Sequence, residues 1–155
     1  MTLTANGGQP LITDSSLEPF VRNFVRASLL WLGVGVLIGV SMAFWPGAAL
    51  VYRPAHVHAN LLGFVSMMIF GVAYHVIPRF SGNPLHRREL AVAHLWVANT
   101  GLALLVSGWI TRVEWAEPGI LIVRAGAALS AIGAYLFIYN LWRTLGERRL
   151  RSTLR

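Results

Sequence analysis

The chain contains no cysteine, which removes disulfides, thiolate metal ligands and cysteine nucleophiles from consideration. It contains no lysine either, so all 13 basic residues are arginine, set against 6 acidic ones. Charged residues make up only 12% of the 155 and hydrophobic ones 55%, too apolar for an ordinary soluble domain of this size. No strand-like alternation and no close internal repeat is visible. The opening "MTLTANGGQPLITDSSLEPF" has no basic stretch leading into an apolar core, so no cleaved signal peptide is expected.

What is present is a set of four apolar runs, each near the ~20 residues needed to cross the hydrocarbon core. They are Ala27–Trp45, Ala55–Ile77, Leu90–Thr111 and Gly119–Trp142. The gaps carry Pro46-Gly47, Pro78 with Ser81-Gly82-Asn83-Pro84, and Pro118-Gly119. The expected fold is an all-α membrane protein, a four-transmembrane-helix antiparallel bundle, because short connections make sequence neighbours antiparallel neighbours in space. We expect a polar N-terminal segment over 1–24, a four-helix domain over 25–145 and a basic tail over 146–155. Within the first segment, Ser15 or Ser16 is placed to cap an interfacial helix starting at Leu17, with Glu18 in its first turn.

Arginine placement sets the orientation. Arg22, Arg26, Arg79, Arg87, Arg88, Arg143, Arg148, Arg149, Arg151 and Arg155 share one side, whereas only Arg53, Arg112 and Arg124 lie on the other. The positive-inside rule then puts both termini in the cytoplasm; the inner membrane of a prokaryote is the expected location. Because the arginines sit at the ends of apolar runs, they read as topology and headgroup anchors rather than nucleic-acid contacts. Trp45, Tyr52, Trp109 and Trp115 would form an outer aromatic belt, with Tyr139 and Trp142 on the inner one. Small residues that let helices approach in lipid occur at Gly35, Gly39, Gly63, Gly71, Gly126 and Ser130.

Five histidines remain to be explained. His86, in a polar loop, needs no special role. His75 and His94 lie in the inner halves of adjacent helices. They are placed either to pair as metal or heme ligands or to hydrogen-bond to groups such as Ser66, Asn99 or a backbone carbonyl. His56 and His58, in "RPAHVH" at the outer mouth of the second run, pose a sharper problem. At i and i+2 of a helix they point about 200° apart, so they cannot grip one ion together. Interfacial contact with headgroups is the plain alternative. A zinc or copper site is disfavoured, because Glu114 and Glu117 are the only acidic groups on that side. A flat ligand such as heme suits the geometry better, since each imidazole can serve a separate iron.

The stretch "AHVHANLLGFVSMMIFGVAYHVIPRFSGNPL" followed by "AVAHLWVANTG" resembles the catalytic subunit of heme–copper oxidases. The likeness is to its HxH helix and the helix after it, strongest toward the cbb type and nitric-oxide-reductase relatives, and it covers Pro54 to Gly101. It implies that His56 matches the ligand of the high-spin heme and His58 that of the low-spin heme. Arg124 or Arg112, with Arg53, would meet the heme propionates; snorkelling to lipid phosphates is the other reading of these arginines.

The family's subunit is built from three similar four-helix units, and this chain resembles the last. The copper-binding histidines and the second low-spin ligand fall in the other two, so a lone copy is not expected to assemble an oxygen-reducing centre. A homo-oligomer, with a trimer favoured, would bring His56 of one copy and His58 of the next to one heme b. The resemblance thus implies a membrane b-type cytochrome that transfers electrons or binds O2 or NO at heme, with a redox partner or an oxidase complex beside it. The alternatives are an oligomeric or complexed O2 or NO reductase and an accessory subunit that delivers heme to a terminal oxidase.

Overall fold

The computed structural model describes residues 17–45 and 47–152, with side chains described as far as Gly146. The expected caps Ser15 and Ser16, the rest of 1–16, Pro46, and the side chains of Arg148, Arg149, Arg151 and Arg155 lie outside the described residues. Helices make up all the regular structure among them: α1 (Pro19–Phe44), α2 (Ala48–Ser81), α3 (Arg88–Thr111) and α4 (Ala116–Ser152). Each contains a stretch long and apolar enough to cross a membrane.

The helices are longer than the apolar runs that signal them, for local reasons. α1 begins at Pro19, where a missing N–H costs nothing and φ is already helical, so Glu18 becomes its N-cap and the expected start at Leu17 is not adopted. α2 begins at Ala48 rather than Ala55 and runs through both Pro54 and Pro78. It stops at Gly82, whose φ of 66° is the left-handed conformation that ends helices. α4 starts at Ala116, with Pro118 absorbed in its first turn. Within α2, Ala59–Ser66 is π-helical, one turn after Pro54 removes a backbone donor. The Ser66 hydroxyl accordingly reaches the Leu61 carbonyl, five residues back, at 2.9 Å.

Packing relies on glycine. On α1 and α2, Phe24 meets Gly71, Trp31 meets Gly63, Asn60 meets Gly35 and His56 meets Gly39, so rising numbers on one helix meet falling numbers on the other. α3 and α4 approach backbone to backbone. A Cβ on Gly126 would lie 2.7 Å from the Gly101 carbonyl oxygen, and one on Gly108 would lie 2.7 Å from the Val123 nitrogen. Lipid supplies no hydrophobic drive between helices, so such close approach is what holds them. α2 packs against α1, α3 and α4 and ties the two pairs together.

The interior holds the polar groups and the surface is apolar, as a bilayer demands. Leu30, Leu37, Phe44 and Leu50 point outward, whereas Ser28, His94, Asn140 and Thr144 are fully buried. The buried set is bonded into the fold, apart from His94 Nε2, which meets no partner among the described residues. Asn140 accepts from the Arg87 N–H and donates to the Arg87 carbonyl, while Thr144 accepts from the His86 N–H, so α4 clamps the 82–87 connection. Across the bundle, Glu18 and Arg88 pair at 3.1 Å and join the first residues of α1 and α3.

A Cβ added at Gly33 would meet no atom within 4 Å, whereas Gly126 is in backbone contact with α3. Gly126→Ala should therefore destabilise the protein by about 1–3 kcal/mol. Gly33→Ala should be neutral or stabilising by up to about 1 kcal/mol. Thermal unfolding of the two variants in detergent, followed by circular dichroism, checks the contrast.

Candidate functional site

The mouth of α2 is built around Pro54. As a proline inside a helix, it cannot donate to the Leu50 carbonyl, and the helix loosens into π geometry a turn later. His56 and His58 sit between these two irregularities and face different neighbours. His56 turns to α1, where its Nδ1 lies 2.8 Å from the Gly35 carbonyl oxygen. A carbonyl only accepts, so Nδ1 carries the proton and donates. The Asn60 amide, one turn on, donates to the His56 carbonyl at 2.9 Å, and this fixes the backbone under the ring. Gly39 flanks the ring so closely that a Cβ there would come within 2.9 Å of His56 Cε1.

His58 turns the other way, toward α3. Its Nδ1 donates to the Pro54 carbonyl at 2.7 Å, and its ring stacks on Trp109 with centroids 6.3 Å apart and planes 26° from parallel. The Arg112 guanidinium covers the same indole, 5.2 Å from its centroid. Imidazole, indole and guanidinium thus form a short column between α2 and α3.

Both histidines are therefore anchored through Nδ1, and neither Nε2 makes a hydrogen bond to a described residue. An imidazole with Nδ1–H held by a backbone carbonyl and Nε2 bare is oriented for axial ligation of a metal. The donor set fits heme iron, which needs one imidazole per face and no cluster of ligands. Among the described residues no three histidines or carboxylates come together as a metal cage.

The three arginines of this side do not converge. Arg112 and Arg124 line one open groove with Trp109, of about 250 Å³. Arg112 also lines a second, of about 280 Å³, with Leu50 and Pro54. Arg53 is exposed on α2 and lines neither.

The inner histidines are not brought together. His75 is partly exposed and its Nδ1 accepts from Arg79 at 2.8 Å, with the same guanidinium bonding the His75 carbonyl. His94 is fully buried, 3.1 Å from the Tyr74 hydroxyl through Nδ1, and ringed by Phe24, Phe70 and Phe137. Neither meets Ser66 or Asn99, the partners expected from sequence. Ser66 bonds α2's own backbone, and Asn99 accepts from the Trp31 indole at 3.0 Å. His86 contacts the Tyr139 ring.

Sequence reasoning misses two participants. Asn60 carries a usable signal, an amide one turn after His56 in an otherwise apolar run. Trp109 carries none, because a tryptophan near a helix end reads as a belt residue, and only the fold turns it toward His58.

The chain is thus a bundle of helices of membrane-spanning length in which one end of α2 carries two imidazoles, each fixed at Nδ1 and unbonded at Nε2 among the described residues. The chain matches the family Cytochrome C and Quinol oxidase polypeptide I over residues 20–154, and it belongs to that family. It is 27% identical, over 83% of its length, to the Cbb3-type cytochrome c oxidase subunit CcoN1 of Stutzerimonas stutzeri. It is 28% identical, over 88% of its length, to cytochrome c oxidase subunit 1 of Rhodobacter capsulatus. A cytochrome c oxidase subunit 1 homolog, bacteroid, of Bradyrhizobium diazoefficiens is 30% identical over 58% of the chain. The aligned regions make up 33%, 31% and 21% of those three proteins, so the chain spans a third or less of their length. With these bacterial relatives and four spanning-length helices, it is a multi-pass membrane protein of the prokaryotic kind.

The hydrogen bonds dictate ring protonation. Nitrogen-15 NMR of the heme-free protein should show His56 and His58 protonated at Nδ1 and bare at Nε2. His75, accepting at Nδ1, should show the reverse. An Nε2-protonated His56 or His58 would contradict the carbonyl anchoring of both rings.

Proposed function

We propose that the chain is a membrane heme b-binding unit of the oxidase polypeptide I family, serving electron transfer or the binding of O2 or NO at heme. The observation that carries this is the pair of bare Nε2 atoms on His56 and His58, each fixed by a carbonyl and directed to a different side of α2. Bound heme supplies a one-electron iron couple; the chain supplies ligands, charge and exclusion of water. His56, wedged between Gly35 and Gly39, would hold one iron, and His58, stacked on Trp109, another. Arg112 and Arg124, together at the α3–α4 end of the same mouth, supply positive charge for propionates, with Arg53 as an outer counter-charge. An arginine facing hydrocarbon without such a partner is costly in a bilayer.

Since the two imidazoles diverge, a bis-histidine heme takes its second ligand from elsewhere. In the proposed arrangement copies of the chain surround a three-fold axis, and His56 of one copy faces His58 of the next. The contact pairs of α1 with α2 support an antiparallel bundle, and the arginine distribution supports cytoplasmic termini in the inner membrane. The divisions 1–24, 25–145 and 146–155 complete the proposed layout.

The absorption spectrum of the purified protein, read with iron and copper per chain, tests the proposal. His56→Ala and His58→Ala should each lose the bis-histidine heme bands. Wild-type spectra from both variants would overturn the assignment and turn attention to His75 and His94. Reduced bands unchanged by CO identify electron transfer; bands that shift identify an open gas site. Copper alongside iron would favour an O2 or NO reductase.

A further inference from the structure

A groove far from the α2 mouth has the makings of a lipid site. It lies between α1 and the N-terminal half of α3, encloses about 310 Å³ and is apolar along its walls, which include Leu30, Leu95 and Trp96. Its two ends differ. At one, Arg26 and Asn23 line the opening, both exposed and neither hydrogen-bonded nor ion-paired with any described residue. The nearest described carboxylate on α1, Glu18, is already taken by Arg88. At the other end is Asn99, whose amide is tied into the bundle: Oδ1 accepts from the Trp31 indole, and Nδ2 donates to the Leu95 carbonyl and reaches Met67 Sδ at 4.0 Å.

We propose that this groove binds one anionic phospholipid, its headgroup phosphate on Arg26 and Asn23 and an acyl chain along Leu30, Leu95 and Trp96. The chemistry excludes simpler occupants. Free phosphate would satisfy Arg26 but leave the apolar length empty. An uncharged chain would fill the walls but leave a guanidinium with no partner among the described residues beside hydrocarbon, since Ala27 and the residues after it begin the apolar run of α1. An amphiphile with a negative head matches both ends, and an arginine at headgroup depth favours anionic over neutral lipid.

The site has a structural consequence. Its far wall is the Trp31–Asn99 hydrogen bond that joins α1 to α3, and Gly35, which holds His56, lies one turn further along α1. A lipid seated in the groove braces the helix that positions His56. The inference itself does not depend on heme, and its test does not involve it.

The test is native mass spectrometry of the full chain released from nanodiscs of equal phosphatidylglycerol and phosphatidylcholine. The wild type should retain phosphatidylglycerol over phosphatidylcholine by about five-fold. Arg26→Gln should abolish most of that preference. Arg22→Gln, an exposed arginine one turn earlier and outside the groove, should keep it. Leu30→Trp, which fills the groove, should lower retention of both lipids. Equal retention by the wild type would overturn the site as an anionic-lipid site. So would equal effects of Arg22→Gln and Arg26→Gln, or a Leu30→Trp variant that kept its lipid.

Discussion

The mouth of α2 depends on one hydrogen bond, from His56 Nδ1 to the carbonyl of Gly35 on α1. It can form only because Gly35 and Gly39 present bare backbone. A methyl at Gly35 would occupy the Asn60 amide, and one at Gly39 would press on the His56 ring. The small-residue seam that packs two helices in lipid therefore also sets the orientation and tautomer of an imidazole. Packing and ligand chemistry are one arrangement here, so a change to either glycine acts on both.

The second imidazole is fixed by a different device, entirely within α2 and its neighbour. Pro54 lies one turn before His58, and its carbonyl accepts the ring proton. The π-helical turn then begins at Ala59. An i-to-i+5 turn rotates the residues beyond it relative to an ordinary α-helix, so the apolar face below His58 is not the one a regular helix would present. Irregular backbone of this kind is tolerated in hydrocarbon only when its polar groups are met inside the protein. The side-chain bonds from Asn60 and Ser66 to nearby carbonyls do that.

Much of this is legible in the sequence, for physical reasons. Hydrocarbon imposes a length and a composition, so four spans stand out from Ala27 onward even though their ends do not. The ends blur where a proline reads as a stop: Pro118 falls in the first turn of α4, where its missing N–H costs nothing, and Pro78 falls in the last turn of α2, where it gives up the one backbone bond to the Tyr74 carbonyl and the helix ends three residues on. The divergence of His56 and His58 comes from helical geometry alone and needs no coordinates. Their partners are not legible. The Trp109 column, the Gly35 carbonyl and the Arg79 partner of His75 are set by tertiary contacts between residues whose types are common in any membrane helix. Buried Asn140 and Thr144, at i and i+4 near the end of an apolar run, are a polar signal in α4 whose role emerges only with the fold.

The central claim is that His56 and His58 belong to separate heme sites completed between copies of the chain. Reconstituting His56→Ala chains together with His58→Ala chains tests it most directly. In a closed ring, a His58→Ala copy still offers His56 and its His56→Ala neighbour still offers His58. Random mixing then restores about a quarter of the bis-histidine sites, although neither variant forms any alone. Recovery of the bis-histidine spectrum near that fraction is the predicted result. No recovery in mixed oligomers, or a wild-type monomer that keeps one bis-histidine heme per chain, would contradict it.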